Sequence, residues 1–513
     1  MNNHTCTTKK PHLRLIYVCN ICIRITSPTL KLENMNSQRV VTICTGMLAS
    51  LGGYVANGQS MDPARPNILL VIAEDMSYND ISCYGNTDVR TPNLEKFASE
   101  SVRYTNVFTT GAVCSATRSG LITGMYQTSI QAHNHRTLGP DKQPLPECVF
   151  PITFTIREAG YTPVLCTHED PKWGKQNPGS WGSGKTDFNF KFDEKTIFDT
   201  NNWNKVEEGK PFFGYLTLQA SHRGKWWRDI DQVRKDGINP DKLKTIAPYY
   251  PDNEVTRNDY AAYYDAVETV DKNFGEILSR LEEEGLLNSI IIIFMSDHGR
   301  PMPRDKQFCW DEGIHVPLLV RYPDKKGAGT VNDKLISSID ISAQVIKWTG
   351  ADIPSNVHGV PFAEAGTTER KYTISARDRC DETVHRIRAV RTKDYLYIRN
   401  FDPEIPFTAQ NRYKDTRYPI LINERELFAK GELPDNVKPF FAPQKPKEEL
   451  YDMRKDPRNL NNIADNPKMK KVMKQMRGYL NEWLTAYPDY GQTPESQEVM
   501  ERIIKQRIEE YGF

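Results

Sequence analysis

The sequence carries almost no net charge: 67 Lys and Arg stand against 66 Asp and Glu over 513 residues, a formal balance of +1. A nucleic-acid binder that draws its affinity from phosphate neutralisation needs a basic excess, so that class is set aside. Hydrophobic residues make up only 38%, too few for a chain that crosses a membrane several times. Cysteine is scarce, ten in all, and the one Cys-x-x-Cys pair, Cys19 and Cys22, has no His or Cys partners at zinc spacing. No internal repeat and no low-complexity tract is present, which removes solenoids and disordered arrays. What remains is a globular chain of about two to four domains, or one large α/β domain with an appendage.

The near-zero balance is uneven along the chain. Residues 1–60 hold six basic residues (Lys9, Lys10, Arg14, Arg24, Lys31, Arg39) and one acid, Glu33; the remainder holds 61 basic and 65 acidic residues, a net of −4. After Met35 the chain reads MNSQRVVTICTGMLASLGGYVANGQS: one Arg, an apolar stretch from Val40 to Leu51, then small residues around Ala56 and Gly58. Charged, apolar and small residues in that order describe a secretory signal peptide. We therefore expect residues 1–34 to be an upstream mis-start and 35 to about 58 to be the signal. The mature protein is then periplasmic or extracellular, without integral membrane association. A single membrane anchor is disfavoured because the apolar run falls short of the ~20 residues a spanning helix needs. Cys83, Cys114, Cys148, Cys166, Cys309 and Cys380 remain after this front is removed.

From Pro66, apolar runs alternate with helix-like stretches, the pattern of an α/β domain with a largely parallel sheet. The runs NILLVIAED (67–75), VRYTNVFTT (102–110), PFFGYLTLQASH (211–222), SIIIIFMSDHG (289–299) and VPLLV (316–320) are predicted strands. Between 253 and 287, Tyr260, Tyr263, Tyr264, Val267, Val270, Phe274, Ile277 and Leu281 recur at three- and four-residue steps, which predicts a long amphipathic helix. A further helix is predicted over 339–348. Residues 166–210 are polar and weakly periodic and are expected to form an insertion or lid. After Gly366 the character changes to shorter strands in KYTISARD, HRIRAVRT and DYLYIRN, a Pro-rich irregular stretch (402–449) and two charged helices near 467–486 and 494–510. The expected layout is a large α/β domain over 61–366, with helices flanking a mainly parallel central sheet, and a smaller α+β C-terminal subdomain over 367–513.

Functional groups of open α/β sheets gather at the carboxyl ends of strands. Two of the most apolar strands end in acids, Glu74-Asp75 and Asp297-His298. A lone acid there is usually a turn or cap residue, but two such pairs favour a shared cation, which holds neighbouring carboxylates ionised. The oxygen-rich set points to Ca²⁺ ahead of Mg²⁺. In TTGAVCSATRSGLITGM (109–125), small polar residues followed by a helix-compatible run put Cys114 near a helix N-terminus, where unpaired N–H groups and the dipole favour negative charge. Arg118 lies one turn along the same face. The bland alternative is a buried cysteine acting as a small hydrophobe.

Cys114-Ser115-Ala116-Thr117-Arg118 resembles the type I sulfatase signature Cys-x-(Pro/Ala)-x-Arg, with SGLITG following it as in that family. The resemblance extends through RPNILLVIAEDMS and RTPNLEKFASESVRYTNVF before the motif, and through GKPFFGYLTLQASH, SDHG, WDEGIHVPLLV and ELYDMRKDP after it, in family order from about 66 to 465. In layout the chain looks closest to heparan N-sulfatase (sulfamidase) and related bacterial polysaccharide sulfatases. The resemblance implies an alkaline-phosphatase-like fold and hydrolysis of a sulfate ester or N-sulfate of a sulfated oligosaccharide or glycosaminoglycan-derived sugar. It also implies that a separate maturation enzyme oxidises Cys114 to Cα-formylglycine, whose hydrate attacks sulfur and later expels sulfate by re-forming the aldehyde. Glu74, Asp75, Asp297 and His298 match the family's calcium ligands, with residue 114 completing the shell. Arg118 would stabilise the nucleophile, and Lys185, His222 and Lys306 match residues that grip sulfate or protonate the leaving oxygen.

Several positions depart from the family pattern. Glu74 stands where Asp is usual, one methylene longer, and His298 where Asn is frequent. The Lys-x-His pair appears as Lys185-Thr186-Asp187, removing a histidine for which His133 or His135 is a candidate replacement; each is equally readable as an ordinary surface or cap histidine. On the sugar side the candidates are Trp173, Trp181, Trp226 and Trp227 as stacking faces, with Asp187, Arg377, Arg379, Asp381 and His385 as polar contacts. Without a basic tract for gripping a polyanion, exo-action on a terminal sugar is expected. Two alternatives share the fold: a phosphomonoester or phosphodiester hydrolase of the same superfamily, and a glycan-binding homologue without catalysis.

Overall fold

The computed structural model describes residues 65–167, 184–224, 227–364 and 366–512. The expected signal and upstream segment, and Trp173, Trp181 and Trp226, lie outside the described residues. Seven strands, Asn67–Ala73 (β1), Val102–Phe108 (β2), Thr162–Cys166 (β3), Phe212–Leu218 (β4), Ile290–Ser296 (β5), Leu318–Arg321 (β6) and Val331–Ser337 (β7), form one sheet in the order β3-β4-β1-β5-β6-β2-β7. Only β6 runs against the others. The expected mainly parallel central sheet therefore stands.

The central strands are continuous apolar runs because both faces of the sheet are covered. On one face Leu69, Val71, Leu216, Ile292 and Phe294 pack with Tyr260, Tyr263, Val267, Val270 and Phe274 of the Glu254–Glu283 helix. Asn253 begins that helix by accepting a hydrogen bond from the Thr256 N–H. The alternate residues Ile68, Leu70, Ile72, Ile291 and Ile293 face the other way, onto Leu121 and Ile122 of the Cys114–Thr123 helix and Ile341 and Val345 of the Ser338–Trp348 helix.

A second, wholly antiparallel sheet is built from Thr373–Cys380 (β8), Thr383–Arg391 (β9), Tyr395–Asn400 (β10) and Glu448–Asp452 (β11), in the order β11-β10-β9-β8. Met473, Met476, Leu480 and Trp483 of the Lys470–Ala486 helix pack on Val390, Tyr397 and Leu450 of this sheet. Strand β8 is stitched to the first unit: the Ala376 N–H donates to the Thr110 carbonyl at 2.8 Å, and the His135 N–H to the Arg379 carbonyl at 2.8 Å.

Sequence periodicity misses β3 and β7, which are the sheet edges. Pro163 interrupts the first, as an edge strand tolerates, and the second begins with the exposed Val331. It also misses β11 and the Arg412–Arg417 and Pro419–Lys430 helices in the stretch expected to be irregular. Phe294 is fully buried and its ring lies 5.0 Å from that of Phe274. Phe294→Ala should cost about 3–5 kcal/mol, read as a lowered urea midpoint; an unchanged midpoint would show that this contact does not hold helix to sheet.

Candidate active site

Strands β1 and β5 pair in parallel with Ala73 opposite Ser296, so the next residues of each, Glu74-Asp75 and Asp297-His298, emerge side by side at one end of the sheet. The Asp75 N–H donates to Asp297 Oδ1 at 3.1 Å. Asp75 itself has φ 52°, a left-handed conformation that a non-glycine residue adopts at a cost. Gly299 follows because nothing larger fits: a Cβ there would lie 1.7 Å from the Glu312 carbonyl oxygen.

Strand β2 leads through Thr109–Val113 into the Cys114–Thr123 helix, every residue of which is buried. Val113 gives no side-chain cap to the first turn at Cys114. Cys114 Sγ lies 3.4 Å from His298 Nε2, which lies 3.1 Å from Asp75 Oδ1. Ligand atoms of Asp75, Cys114 and His298 all fall within 4.8 Å of one another.

Three buried carboxylates meet three cations here. Arg118 reaches Glu74 Oε1 at 2.9 Å and Asp297 Oδ2 at 3.2 Å, with no exposed side-chain surface on any of the three. Lys185 Nζ lies 2.7 Å from Glu74 Oε1, and Lys306 Nζ lies 2.8 and 2.9 Å from the two Asp75 oxygens. Burial pushes Asp75 up, but Lys306, His222 and His298 outweigh it and hold it well below the usual carboxylate range. Burial dominates at Glu74 and raises it, against the pull of Lys185 and Arg118. His298 is pushed down by burial and up, more strongly, by Asp297, Asp75 and Cys114, to about 10. His222 moves the other way: burial and the Lys306 charge take it well below its ordinary value and keep it neutral.

The donor set suits a hard divalent ion, since the carboxylates of Asp75 and Asp297 converge beside His298 and residue 114. Glu74 stands apart from that cluster, its oxygens taken by Arg118 and Lys185, in line with its extra methylene. His135 is joined to the signature helix: its Nδ1 lies 2.8 Å from Ser115 Oγ, and burial with the charge of Arg136 keeps it neutral. Asp187 sits 3.8 Å from Lys185 Nζ, and Asp381 accepts from Gln307 Nε2 at 3.3 Å.

Other sugar-side candidates lie elsewhere. His133 is buried within the field of Asp378, Arg388 and Asp489. A register shift in β8 between Arg377 and Arg379 separates those two side chains. Arg377 stacks on Phe308 at 4.3 Å, while Arg379 ties down the carbonyls of His135 (2.9 Å) and Asp381 (2.7 Å). His385 faces Lys445 Nζ at 2.8 Å, inside the C-terminal sheet region. Trp227 packs inward, donating to the Ser221 carbonyl at 3.2 Å.

Sequence reasoning misses the groups that hold the acids and Arg118. Tyr215 Oη and Thr217 Oγ1, at alternate positions of β4, accept from Arg118 Nη1 at 2.9 and 3.1 Å. Two polar groups spaced by two in an apolar strand are a legible signal. The Tyr263 hydroxyl, 3.0 Å from the Asp75 carbonyl and 2.6 Å from Asp80 Oδ2, is hidden among the core tyrosines of its helix.

The fold and this centre define a hydrolase of the alkaline-phosphatase-like type, built for an anionic ester. The sulfatase family model matches residues 66–351, and the model for the C-terminal part of N-sulphoglucosamine sulphohydrolase matches 302–416. An ulvan-active sulfatase of Formosa agariphila is 32% identical over 467 residues, covering 85% of this chain and 77% of that one. Human N-sulphoglucosamine sulphohydrolase is 24% identical over 493 residues, 86% of this chain and 93% of its own. A solved structure in complex with its substrate, D-glucosamine-2-N,6-O-disulfate, shares the fold with a TM-score of 0.55 and 18% identity, over 83% of this chain and 98% of that one. The chain belongs to the sulfatase family and is a sulfuric ester hydrolase.

Arg118 pairs with two fully buried carboxylates. Arg118→Met should destabilise the protein by about 3–5 kcal/mol, the cost of stranding a buried charge, and should abolish sulfate release. A variant with unchanged thermal stability would show that Glu74 and Asp297 do not depend on it.

Proposed function

We propose that the protein removes sulfate from a sulfated carbohydrate at Cys114, after a maturation enzyme has converted that residue to Cα-formylglycine. The observation that carries this reading is the placement of Cys114 at the first turn of a buried helix, 3.4 Å from His298 Nε2 and on the same helix face as Arg118. We further propose a resident divalent cation, Ca²⁺ ahead of Mg²⁺, held by Asp75, Asp297 and His298, with residue 114 and Glu74 at its edge. Such a cation supplies Lewis acidity and a template for sulfate oxygens.

The chain's own groups divide the remaining work. Lys185 and Lys306 are pushed down by burial, yet their anionic neighbours keep both charged, which suits them to grip sulfate oxygens. Arg118 stabilises negative charge on the oxygen that residue 114 presents, while Tyr215 and Thr217 hold its guanidinium in place. His222 is neutral in the free protein; a sulfate drawn against Lys306 offsets the field that depresses it, so it can carry a proton to the leaving oxygen. His135, fastened to Ser115, takes the place of the histidine missing at Asp187.

The relatives named for ulvan and N-sulphoglucosamine support a polysaccharide-derived substrate, and the full burial of Asp75, Cys114, Asp297 and His298 supports exo-action on a terminal sugar. Export through a signal at 35–58, and a division into catalytic (61–366) and C-terminal (367–513) parts, belong to the same proposal. Among the described residues no helix is long and apolar enough to cross a membrane.

Co-expression with a maturation enzyme should lower the intact mass, as aldehyde oxygen replaces thiol sulfur at residue 114. The matured protein should release sulfate from at least one of the N-sulfated and 2-, 3-, 4- and 6-O-sulfated monosaccharides, and Cys114→Ala should reduce that rate by a factor on the order of 10⁴ or more. Unconverted Cys114 with full turnover would falsify the nucleophile assignment. Dialysis against a chelator should lower both the rate and the Tm, with recovery on adding Ca²⁺; a metal-free sample, verified by elemental analysis, that keeps its full rate would remove the cation from the reading.

A further inference from the structure

Nine described non-glycine residues have positive φ, and five of them, Asp75, Arg136, Asp187, Gln307 and Asp381, border this one site. Strained backbone of this kind persists where the surroundings hold a side chain in a required direction. Asp75 belongs to the acid cluster, and Gln307 bonds to Asp381. Arg136 and Asp187 have no such explanation.

Arg136 is fixed through its backbone: its N–H donates at 3.3 Å to Ser115 Oγ, the residue after the nucleophile, and the preceding His135 is bonded to the same hydroxyl. Its guanidinium is half-buried and makes no ion pair or hydrogen bond among the described residues. Burial works against its charge, and the fields of Asp187, Cys114, Asp381 and Tyr413 outweigh that and hold it raised. Asp187 Oδ2 is a buried acceptor without a hydrogen-bond partner, since Lys185 Nζ stops at 3.8 Å. The Tyr413 hydroxyl is likewise buried and unpartnered. Tyr413 is anchored beside the site because Lys414 Nζ donates to the carbonyls of Lys306 (2.7 Å) and Pro303 (2.8 Å). An unpaired donor fork, an unpaired acceptor and an unpaired hydroxyl thus border one charged centre, where buried polar groups ordinarily find partners.

The three cations nearest Cys114 are already paired: Arg118 with Glu74 and Asp297, Lys185 with Glu74, and Lys306 with Asp75. Arg136 is a fourth and lies on the more open side. We propose that Arg136 is a specificity-determining residue that grips a second anionic group, a carboxylate or another sulfate, on the sugar bearing the scissile sulfate, while Asp187 and Tyr413 bond that sugar's hydroxyls. The planar guanidinium matches either anion with two parallel hydrogen bonds, which a lysine does not reproduce. This rests on the proposed sulfated-carbohydrate reaction at the same site.

The test compares three methyl glycosides: a monosulfated hexose, its hexuronate counterpart and its disulfated counterpart. Matured wild-type protein should favour one of the two doubly anionic sugars in kcat/KM, and the favoured one identifies the anion. Arg136→Gln should collapse that preference by about 10- to 100-fold, the worth of a hydrogen bond between charged groups, and Arg136→Lys should restore only part of it. Calorimetric affinities in a Cys114→Ala background should show the same Arg136-dependent preference. A wild type without preference, or an Arg136→Gln variant that loses equally on all three sugars, overturns the assignment. Arg136-dependent affinity with no sulfate released by the wild type would uphold the recognition and sink the proposed reaction on these sugars.

Discussion

The rest of the site depends on one constraint: three carboxylates brought into the dry end of a sheet must each find positive charge. Glu74, Asp75 and Asp297 arrive there because two all-apolar strands, β1 and β5, pair in register and end together. Unpaired, each would lose several kcal/mol of solvation. The chain answers with Arg118 from the signature helix, Lys185 from beyond β3 and Lys306 from the loop after β5, so three separate segments are drawn to one point. Carboxylate pairs at strand ends do not by themselves require a metal, since the protein supplies the compensation; the proposed cation would share it.

This concentration of charge explains the division among the histidines. His298 faces Asp75 and Asp297 and is raised to about 10; His222 and His135 face the lysines and Arg136 and are held neutral. Without a cation in place, identical side chains within one site take different charge states, set by burial and by the sign of the charge that lies nearest. Burial pushes all three down, and only at His298 do nearby carboxylates outweigh it.

The C-terminal sheet is tied into the site as well as appended to the fold. Strand β8 bonds to Thr110, just before the nucleophile loop, and to His135, just after the signature helix, and it delivers Asp381 to the border of the site. Arg379, read from sequence as a sugar contact, clamps the carbonyls of His135 and Asp381. It thereby fixes the backbone that carries Arg136. On the proposed role of Arg136, this sheet would bear on substrate preference without touching the acid cluster.

Much of the catalytic centre was legible in the chain itself. Unbroken apolar runs announce strands buried on both faces, acids at their ends announce an open carboxyl edge, and Cys114 to Arg118 lie on one helical turn, so local periodicity suffices for each. The family resemblance added the expected roles of Cys114, Lys185, His222 and Lys306. The sugar side resisted because it depends on distances between remote segments and on side-chain direction. A one-residue register shift between β8 and β9 parts Arg377 from Arg379, His133 is buried in the field of Asp378, and His385 faces Lys445. Arg136 and Asp187 reach the same site through contacts to Ser115 and Lys185, and Tyr413 through its neighbour Lys414, which donates to the Lys306 carbonyl. The sequence by itself determined the central strands, the acids at their ends and the place of Cys114 one helical turn before Arg118, because these follow from short-range pattern. Only the tertiary structure decided which cation meets which acid and which polar groups stay unpaired, because those follow from long-range packing in low dielectric.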